Sequence, residues 1–140
     1  MSNLRSYLAY VLAEADRVVN DRLGETLEAE GVSVEQWRIL RALSDGRGHS
    51  MGDLARAALM PHPTLTKAID RLAEQALVFR RQDDDDRRRV AVFLSDRGRD
   101  LVSRLDRRAT DHHQEVAEAY GTQRTLRLMR ELERLVASLR

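Results

Sequence analysis

The 140-residue chain contains no cysteine, which excludes disulfides, thiolate metal sites and a cysteine-based redox sensor. No apolar run approaches the roughly 20 residues that a membrane span requires, and the N-terminus lacks the apolar core of a signal peptide. The sequence also lacks Gly-x-Ser-x-Gly, His-Glu-x-x-His and a glycine-rich phosphate loop. These absences predict a cytoplasmic protein that is not an enzyme and that uses no cofactor or metal.

Charge is plentiful in the sequence but nearly balanced. Charged residues make up 34% of the chain and apolar residues 42%, and the formal net charge is +1. This composition and length indicate one mainly helical domain with a modest core. Because the net charge is small, any affinity for nucleic acid has to come from local clusters of arginine.

Residues 51–76 have the pattern of two helices joined by a tight turn. Apolar residues at helical spacing predict a short first helix, which the segment from Leu59 to Pro61 interrupts. They are Met51, Leu54, Ala55 and Ala58. The second helix, about 62–75, is the expected recognition helix, and its core-facing residues are Leu65, Ile69 and Leu72, with Ala76 on the same face at its end. The rest of that helix offers hydroxyls and cations that can contact base edges and phosphates. Many such helix pairs bind no nucleic acid, so this pattern alone does not decide the function.

The segment after these helices predicts a β-hairpin, about 78–95. Residues 90–94 alternate as in a half-buried strand, and Val78 to Gln82 form the earlier partner. Four acids, Asp83 to Asp86, meet three cations, Arg87 to Arg89, at the turn. One interpretation is a solvated tip whose charges neutralise one another. The other is a wing, in which an arginine enters the minor groove of DNA and a neighbouring carboxylate orients it.

These motifs together resemble the MarR family of bacterial winged-helix regulators. The resemblance rests on Glu35 to Leu40, Asp53 to Ala55, Thr64 to Leu72, Asp86 to Arg88 and Val92 to Gly98, in this order and without a gap from Trp37 to Gly98. It covers nearly the whole chain and implies a winged helix-turn-helix fold, mainly α with a small β-hairpin. The family's Asp-x-Arg wing motif falls on Asp86 and Arg88, which implies that Arg88 reads the minor groove and that Asp86 holds it.

The chain departs from the family pattern at the two ends of its second helix. Pro61, His62 and Pro63 stand where the family usually has a Ser, Thr or Asp cap. Ala76 stands where the family often has the glycine that ends this helix in a left-handed turn, and alanine is strained in that conformation.

Long apolar helices are predicted on both sides of residues 33–98. Ser2 or Asn3 is expected to cap a first helix that Gly31 ends, with a stripe formed by Leu4, Leu8, Val11, Ala15 and Val18. Ser33 and Ser50 are expected to cap the two helices that follow them. Ser95 is expected to cap a helix that ends near Gly121, and Thr122 to open a final apolar helix. We therefore expect dimerisation helices at 1–30 and 100–140 around a DNA-binding lobe at 33–98. An intertwined homodimer would bury their apolar stripes, whereas a monomeric helical bundle is the alternative.

The sequence therefore predicts a homodimeric, sequence-specific regulator of transcription, a repressor, that binds a pseudo-palindromic operator in double-stranded DNA. The expected major-groove residues are His62, Pro63, Thr64, Thr66 and Lys67. Ser50 and Arg71 are expected on phosphates, and Arg88, helped by Arg87 and held by Asp86, in the minor groove. The resemblance further implies that a small aromatic or anionic effector releases the DNA. The alternative function is a helical protein-protein interaction module that does not bind DNA.

Two side-chain types that suggest ligand sites have simpler explanations. Trp37 could stack on a ligand, but a single tryptophan at helical spacing indicates a core residue. His112 and His113 are adjacent and cannot both bind one metal from a regular helix, so we expect solvated helix residues.

Overall fold

The computed structural model describes residues 2–82 and 85–140. Within them lie α1 (Leu8–Glu28), α2 (Val34–Ala42), α3 (Met51–Ala58), α4 (His62–Glu74), β1 (Val78–Gln82), β2 (Val90–Leu94), α5 (Asp96–Tyr120) and α6 (Thr122–Leu139). Short 3-10 helices cover Ser2–Ser6 and Leu43–Asp45. The predicted class, mainly α with a small β-hairpin, is confirmed. None of the described helices is long and apolar enough to span a membrane.

The N-terminal end of the first helix differs from the expectation. Helix α1 begins at Leu8, after the 3-10 turn Ser2–Ser6, and not directly after Ser2 or Asn3 as expected. The Ser6 hydroxyl donates to the Asn3 carbonyl at 2.6 Å, a local bond that competes with regular helix formation. The helix ends at Glu28, and Gly31 follows it with φ +72°.

Serine hydroxyls start three helices of the lobe, as the sequence predicts. Ser33 Oγ accepts from the Gln36 N–H at 3.1 Å, and Gln36 Oε1 accepts from the Ser33 N–H in return. Ser50 Oγ accepts from the backbone of Asp53 at 3.1 Å. Ser95 Oγ accepts from the Gly98 N–H at 3.0 Å and donates to the Ala76 carbonyl at 2.7 Å. The last serine therefore links the end of α4 to the start of α5.

The sheet contains one short segment that the sequence pattern did not reveal. β1 and β2 pair antiparallel from Val78 opposite Leu94 to Gln82 opposite Val90. On the other side of β2, His49 exchanges two backbone hydrogen bonds with Val92, at 3.0 and 2.9 Å. The loop before α3 is thereby attached to the wing.

The chain divides into two compact units. The first, Leu27–Arg107, contains the helix-turn-helix and the wing and has a dense apolar core. Its most completely buried residues are Leu27, Ile39, Leu40, Leu43, Leu54, Leu65, Ile69, Leu72, Val92 and Leu105. We call this unit the lobe.

The second unit, residues up to Thr26 together with Arg108–Arg140, is helical and has almost no core of its own. We call it the helical unit. Leu23 is its only buried apolar residue within the described part of the chain, and His112 and Thr125 are buried with it. The burial of His112, which is 6% exposed, corrects the expectation of a solvated side chain. His113 is exposed as expected.

Candidate nucleic-acid interface

Helix α4 is anchored by one apolar face and exposes the other. Leu65, Ile69 and Leu72 are fully buried, which fixes the rotation of the helix about its axis. Ala76, expected on the same face, lies exposed beyond the helix end with φ +60°. The N-cap residue is Pro61, which makes no side-chain capping bond. The helix therefore begins without a side-chain cap, as the departure from the family pattern predicts.

The first two turns of α4 present the residues expected to read bases. His62, Pro63, Thr64 and Lys67 are exposed. The Thr66 hydroxyl donates to the His62 carbonyl at 3.1 Å, so its proton is already committed. The hydroxyl oxygen can therefore only accept a hydrogen bond from a base, for example from the amino group of adenine or cytosine.

Cations from α4 line a groove beside the N-terminus of α2. The groove holds about 410 Å³ and is lined by Thr64, Lys67 and Arg71, by Ser33, which caps α2, and by Glu35 and Gln36 of α2. Lys67 and Arg71 stand one helical turn apart and are both exposed. Two positive charges at this spacing suit the phosphates of one DNA strand.

Ser50 lies at the start of α3, where its hydroxyl oxygen already accepts a hydrogen bond. Its Oγ caps Asp53, which leaves the hydroxyl proton for a phosphate oxygen. The loop leading to Ser50 is held by His49, whose Nε2 donates to the Asp45 carboxylate at 2.9 and 3.0 Å. This hydrogen bond has the larger effect on Asp45 and the hydrogen bond from the Arg47 N–H at 2.9 Å the smaller one. Both lower the pKa of Asp45 below its ordinary value.

The wing tip has the arrangement that the Asp-x-Arg motif implies. Asp86 Oδ1 accepts from the backbone N–H of Arg88 at 3.0 Å and from its Nε at 3.3 Å. The Arg88 side chain is nevertheless 92% exposed, whereas that of Asp86 is 35% exposed. Arg89 Nε lies 3.7 Å from the second carboxylate oxygen, and Arg87 is exposed. The other end of the acidic run, Asp83 and Asp84, lies outside the described residues.

One contact joins the recognition helix to the wing and was missed from the sequence. Asp70 of α4 forms an ion pair with Arg80 of β1. The two residues are ten positions apart on different elements, so no local spacing indicates the pair. It connects the two elements that the motif analysis treated separately.

Within the described residues, no group of three His, Asp or Glu side chains is arranged to hold a metal ion. His112 Nε2 is buried and has no hydrogen-bond partner. The candidate site thus consists of cations, hydroxyls and a half-buried carboxylate on three elements, and its chemistry is that of non-covalent binding to an anion.

Comparisons with known proteins agree with this geometry. The MarR family model matches residues 30–89, which include α2, α3, α4 and the wing tip. The transcriptional regulator FarR of Neisseria gonorrhoeae is 27% identical over 117 residues, covering 84% of this chain and 80% of that protein.

Two solved structures share the fold over almost the full length. The repressor CouR, bound to a 23-mer DNA duplex, has a TM-score of 0.88 at 23% identity and covers 97% of this chain and 96% of its own. NadR in complex with 4-hydroxyphenylacetate has a TM-score of 0.77 at 26% identity over 92% of each chain. The relatives named are transcriptional regulators and not enzymes. The family match over the helix-turn-helix and the wing places this part of the chain in the MarR family, and the chain is similar to transcriptional regulators along most of its length.

Proposed function

We propose that the protein is a homodimeric repressor that binds a specific site in duplex DNA and carries out no enzymatic reaction. It acts in the bacterial cytoplasm, where its operator lies. The observation that carries the proposal is the wing tip, where a half-buried Asp86 holds an almost fully exposed Arg88. An exposed guanidinium that is already oriented suits a narrow minor groove, whose negative potential favours arginine.

The roles of the other residues follow from their positions. His62, Pro63, Thr64, Thr66 and Lys67 contact bases in the major groove, because they occupy the exposed first turns of α4. Ser50 and Arg71 contact phosphates on either side, and Arg87 adds positive charge at the wing. Together these contacts provide the local clustering of charge that the small net charge of the chain requires.

The helical unit supports a homodimer. Its helices expose large apolar side chains, including Leu8 at 58%, Val18 at 56% and Leu139 at 79%. An apolar groove of about 400 Å³ lies among Val18, Val19, Val116 and Leu128 of the same unit. Exposed apolar area of this extent marks an interaction surface, and a second copy of the unit has the matching apolar stripe.

Residues on α2 support a small aromatic anion as the effector. Trp37 Nε1 donates to Asp106 Oδ1 at 3.3 Å, and Arg41 lies 3.6 Å from the other oxygen of the same carboxylate. Trp37 is half-buried and not fully enclosed in the core. The ring of an aromatic carboxylate can stack on Trp37, and its carboxylate can replace Asp106 as the partner of Arg41.

Selection of binding sites from a random duplex pool tests the proposed function. A two-fold dimer places its recognition helices in successive major grooves, so the selected sites should be pseudo-palindromes with half-sites about 10 bp apart. Affinity should fall steeply with salt, and Arg88→Ala should weaken it. A footprint limited to one half-site, or binding that is insensitive to salt, would contradict the proposal.

The effector is tested separately on the selected duplex. Adding 4-hydroxyphenylacetate should release the DNA, whereas phenol, which lacks the carboxylate, should not. Arg41→Ala should abolish the response while DNA binding without effector persists. Equal release by both compounds would exclude the carboxylate contact.

A further inference from the structure

A cavity of about 280 Å³ lies on the lobe, and none of the residues with a proposed DNA or effector contact lines it. Three parts of the chain form its walls: the connection between α1 and α2, the segment from the end of α4 to the start of the wing, and the first half of α5. All three belong to one compact unit. The cavity is therefore a feature of the lobe itself.

The floor of the cavity consists of three apolar side chains. Val32, Leu77 and Leu101 line it, and each of them is 6% exposed. Leu77 is also held through its backbone, because its carbonyl accepts from the Ser95 N–H at 3.0 Å. A packed apolar floor favours the apolar part of a ligand over water. We call these three residues the floor.

Two arginines of α5 stand at the rim of the cavity. Arg97 and Arg104 are exposed and lie about two helical turns, roughly 10 Å, apart along the axis. Arg104 is already oriented, because its Nε donates to Glu30 at 3.0 Å and its Nη1 to the Asp100 carbonyl at 3.4 Å. In the part of the chain that the structure describes, Arg104 Nη2 and the Arg97 side chain have no partner. Among the lining residues, two cations thus face one carboxylate.

Gln75 completes the rim at the end of the recognition helix. Its backbone N–H donates to the Arg71 carbonyl at 3.2 Å, whereas its side chain is exposed and has an amide that can donate to an anion. Gln75 and Leu77 stand on either side of Ala76, the left-handed residue that connects α4 to β1. A ligand in the cavity would therefore contact the chain on both sides of this connection.

The floor and the rim together select a class of ligand. A guanidinium binds a carboxylate through two parallel hydrogen bonds, and the floor accepts a short hydrocarbon chain. The described lining contains no aromatic ring on which a planar ligand could stack. The cavity is also slightly smaller than the roughly 300 to 1,000 Å³ of pockets for drug-sized ligands. The apolar part of the ligand therefore has to be small and aliphatic.

We propose that this cavity is a binding site for a short-chain aliphatic carboxylate. The carboxylate binds Arg97, the Nη2 of Arg104 and the amide of Gln75, and the chain lies on the floor. The site is separate from the effector site proposed at Trp37 and Arg41. It does not depend on the proposed function, because it requires no DNA.

Amide NMR spectra of the free protein, titrated with butyrate at constant ionic strength, test this assignment. Butyrate should shift the amide signals of Gly31, Leu77 and Leu101 with a single dissociation constant. Butyramide has the same chain without the charge, and inorganic phosphate has charge without the chain. Each should bind at least about tenfold more weakly. Equal affinity for butyramide would contradict the role of the arginines, and equal affinity for phosphate would contradict the role of the floor.

Variants at two exposed positions test the rim without disturbing the core. Arg97→Gln should weaken butyrate binding by at least about tenfold, because it removes a charged hydrogen-bond donor. Arg99→Gln is the matched control, since it removes a neighbouring arginine of α5 that pairs with Asp96, and it should leave the dissociation constant unchanged. Gln75→Glu places a negative charge at the rim and should abolish binding, whereas Gln75→Lys should retain or strengthen it.

Arg41→Ala separates this site from the proposed effector site and should leave butyrate binding unchanged. Loss of the response in Arg41→Ala but not in Arg97→Gln would place the carboxylate beside Trp37 and overturn the inference. Absence of any shift at millimolar butyrate would overturn it as well. Either failure would leave the proposed function standing, because that function is tested by binding to duplex DNA.

Discussion

At the residue scale, two positions use a backbone conformation that their side chains disfavour. Leu59 after α3 and Ala76 after α4 have φ of +59° and +60°. Both helices end with the same pair of reverse hydrogen bonds, at α4 from Leu77 N to Leu72 O and from Ala76 N to Ala73 O. This ending requires a left-handed residue, for which glycine is preferred. The backbone is therefore strained at Leu59, shortly before α4, and at Ala76, directly after it.

Ala76→Gly should therefore stabilise the protein, despite the flexibility that glycine adds to the unfolded chain. Relief of a left-handed alanine is worth about 1 to 2 kcal/mol, and the entropic cost of glycine is about 0.5 to 1 kcal/mol. We expect a net gain of up to about 1.5 kcal/mol in the free energy of unfolding, measured by urea denaturation. Ala73→Gly, inside α4, is the control and should lose about 1 kcal/mol. A loss of stability in both variants would show that Ala76 is not strained.

Asp86→Ala tests how the wing tip works. Removing a negative charge near DNA strengthens binding if the residue is only solvated. Because Asp86 holds the Arg88 side chain and backbone, we expect weaker binding, by roughly three- to tenfold for the loss of one charge-assisted contact. Asp100→Ala, which removes an exposed carboxylate of α5, should bind the selected duplex as the wild type does or slightly more tightly. Tighter binding by Asp86→Ala, measured at one fixed salt concentration, would refute the orienting role.

The Asp45–His49 bond should make the stability of the lobe depend on pH in acid. The hydrogen bond from His49 lowers the pKa of Asp45, so its contribution is complete above the ordinary aspartate value of about 3.9. The contribution is lost as the pH falls through the lower pKa of the folded protein. The stability difference between wild type and Asp45→Asn, from denaturation at successive pH values, should be constant near neutrality and vanish in acid. In a His49→Ala background the dependence on pH should be smaller but not absent, because the Arg47 N–H still bonds the carboxylate; an undiminished dependence would assign it to a group other than His49.

At the element scale, the recognition helix and the wing are joined by the ion pair between Asp70 and Arg80. Their side chains are 56% and 36% exposed, and exposed pairs of this kind add only about 0.2 to 1 kcal/mol to stability. In the complex proposed above, α4 and the wing enter two different grooves at the same time, so we expect the pair to matter through the geometry that it fixes. A small change in the angle between them would prevent simultaneous contact.

Charge reversal separates this geometric role from stability. Asp70→Arg and Arg80→Asp should each weaken binding to the selected duplex, and the double variant should recover most of the lost affinity because the pair is restored with opposite polarity. The coupling measured from DNA affinities should exceed the coupling measured from urea denaturation. Additive effects on DNA affinity would mean that each residue acts alone.

At the scale of the whole molecule, the two units differ in how they are stabilised. The lobe buries nearly all of the apolar core, whereas the helical unit buries Leu23 and leaves its other large apolar residues at least partly exposed among those described. Hydrophobic burial contributes about 25 cal/mol per Å², and this contribution is mostly unavailable to the helical unit in a single chain. Its stability is therefore tied to association.

The protein should accordingly sediment as a dimer of about twice its chain mass of 16.1 kDa. Replacing both Leu132 and Val136 by Asp should prevent dimer formation and yield aggregated or unfolded protein, because an unpaired carboxylate is costly to bury. Replacing the exposed Glu133 by Gln is the control and should leave the dimer intact. A stable monomer of the wild type at micromolar concentration, or a folded DNA-binding double variant, would exclude this interface.

The sequence by itself determined the order of elements, the helix starts at Ser33, Ser50 and Ser95, and the pairing of Asp86 with Arg88. These features depend on residues within a few positions of one another, where helical and strand periodicity or capping chemistry acts directly. The left-handed conformation of Ala76 was implied by the family resemblance, whereas helical spacing placed this residue on the core-facing side, which is wrong because Ala76 is exposed. The start of α1 was misplaced because a local bond of Ser6 favoured a 3-10 turn.

Contacts between distant positions were decided only by the tertiary structure. The bridge between His49 and Val92, the ion pair between Asp70 and Arg80, and the burial of His112 have no local spacing that indicates them. The ring of Phe93 lies close to Gly48 and to Arg81 because three backbone segments, β1, β2 and the loop before α3, meet at one face. Local propensity specifies which elements form, whereas packing decides which side chains of those elements meet. The contacts made by packing hold the candidate DNA-binding residues in position.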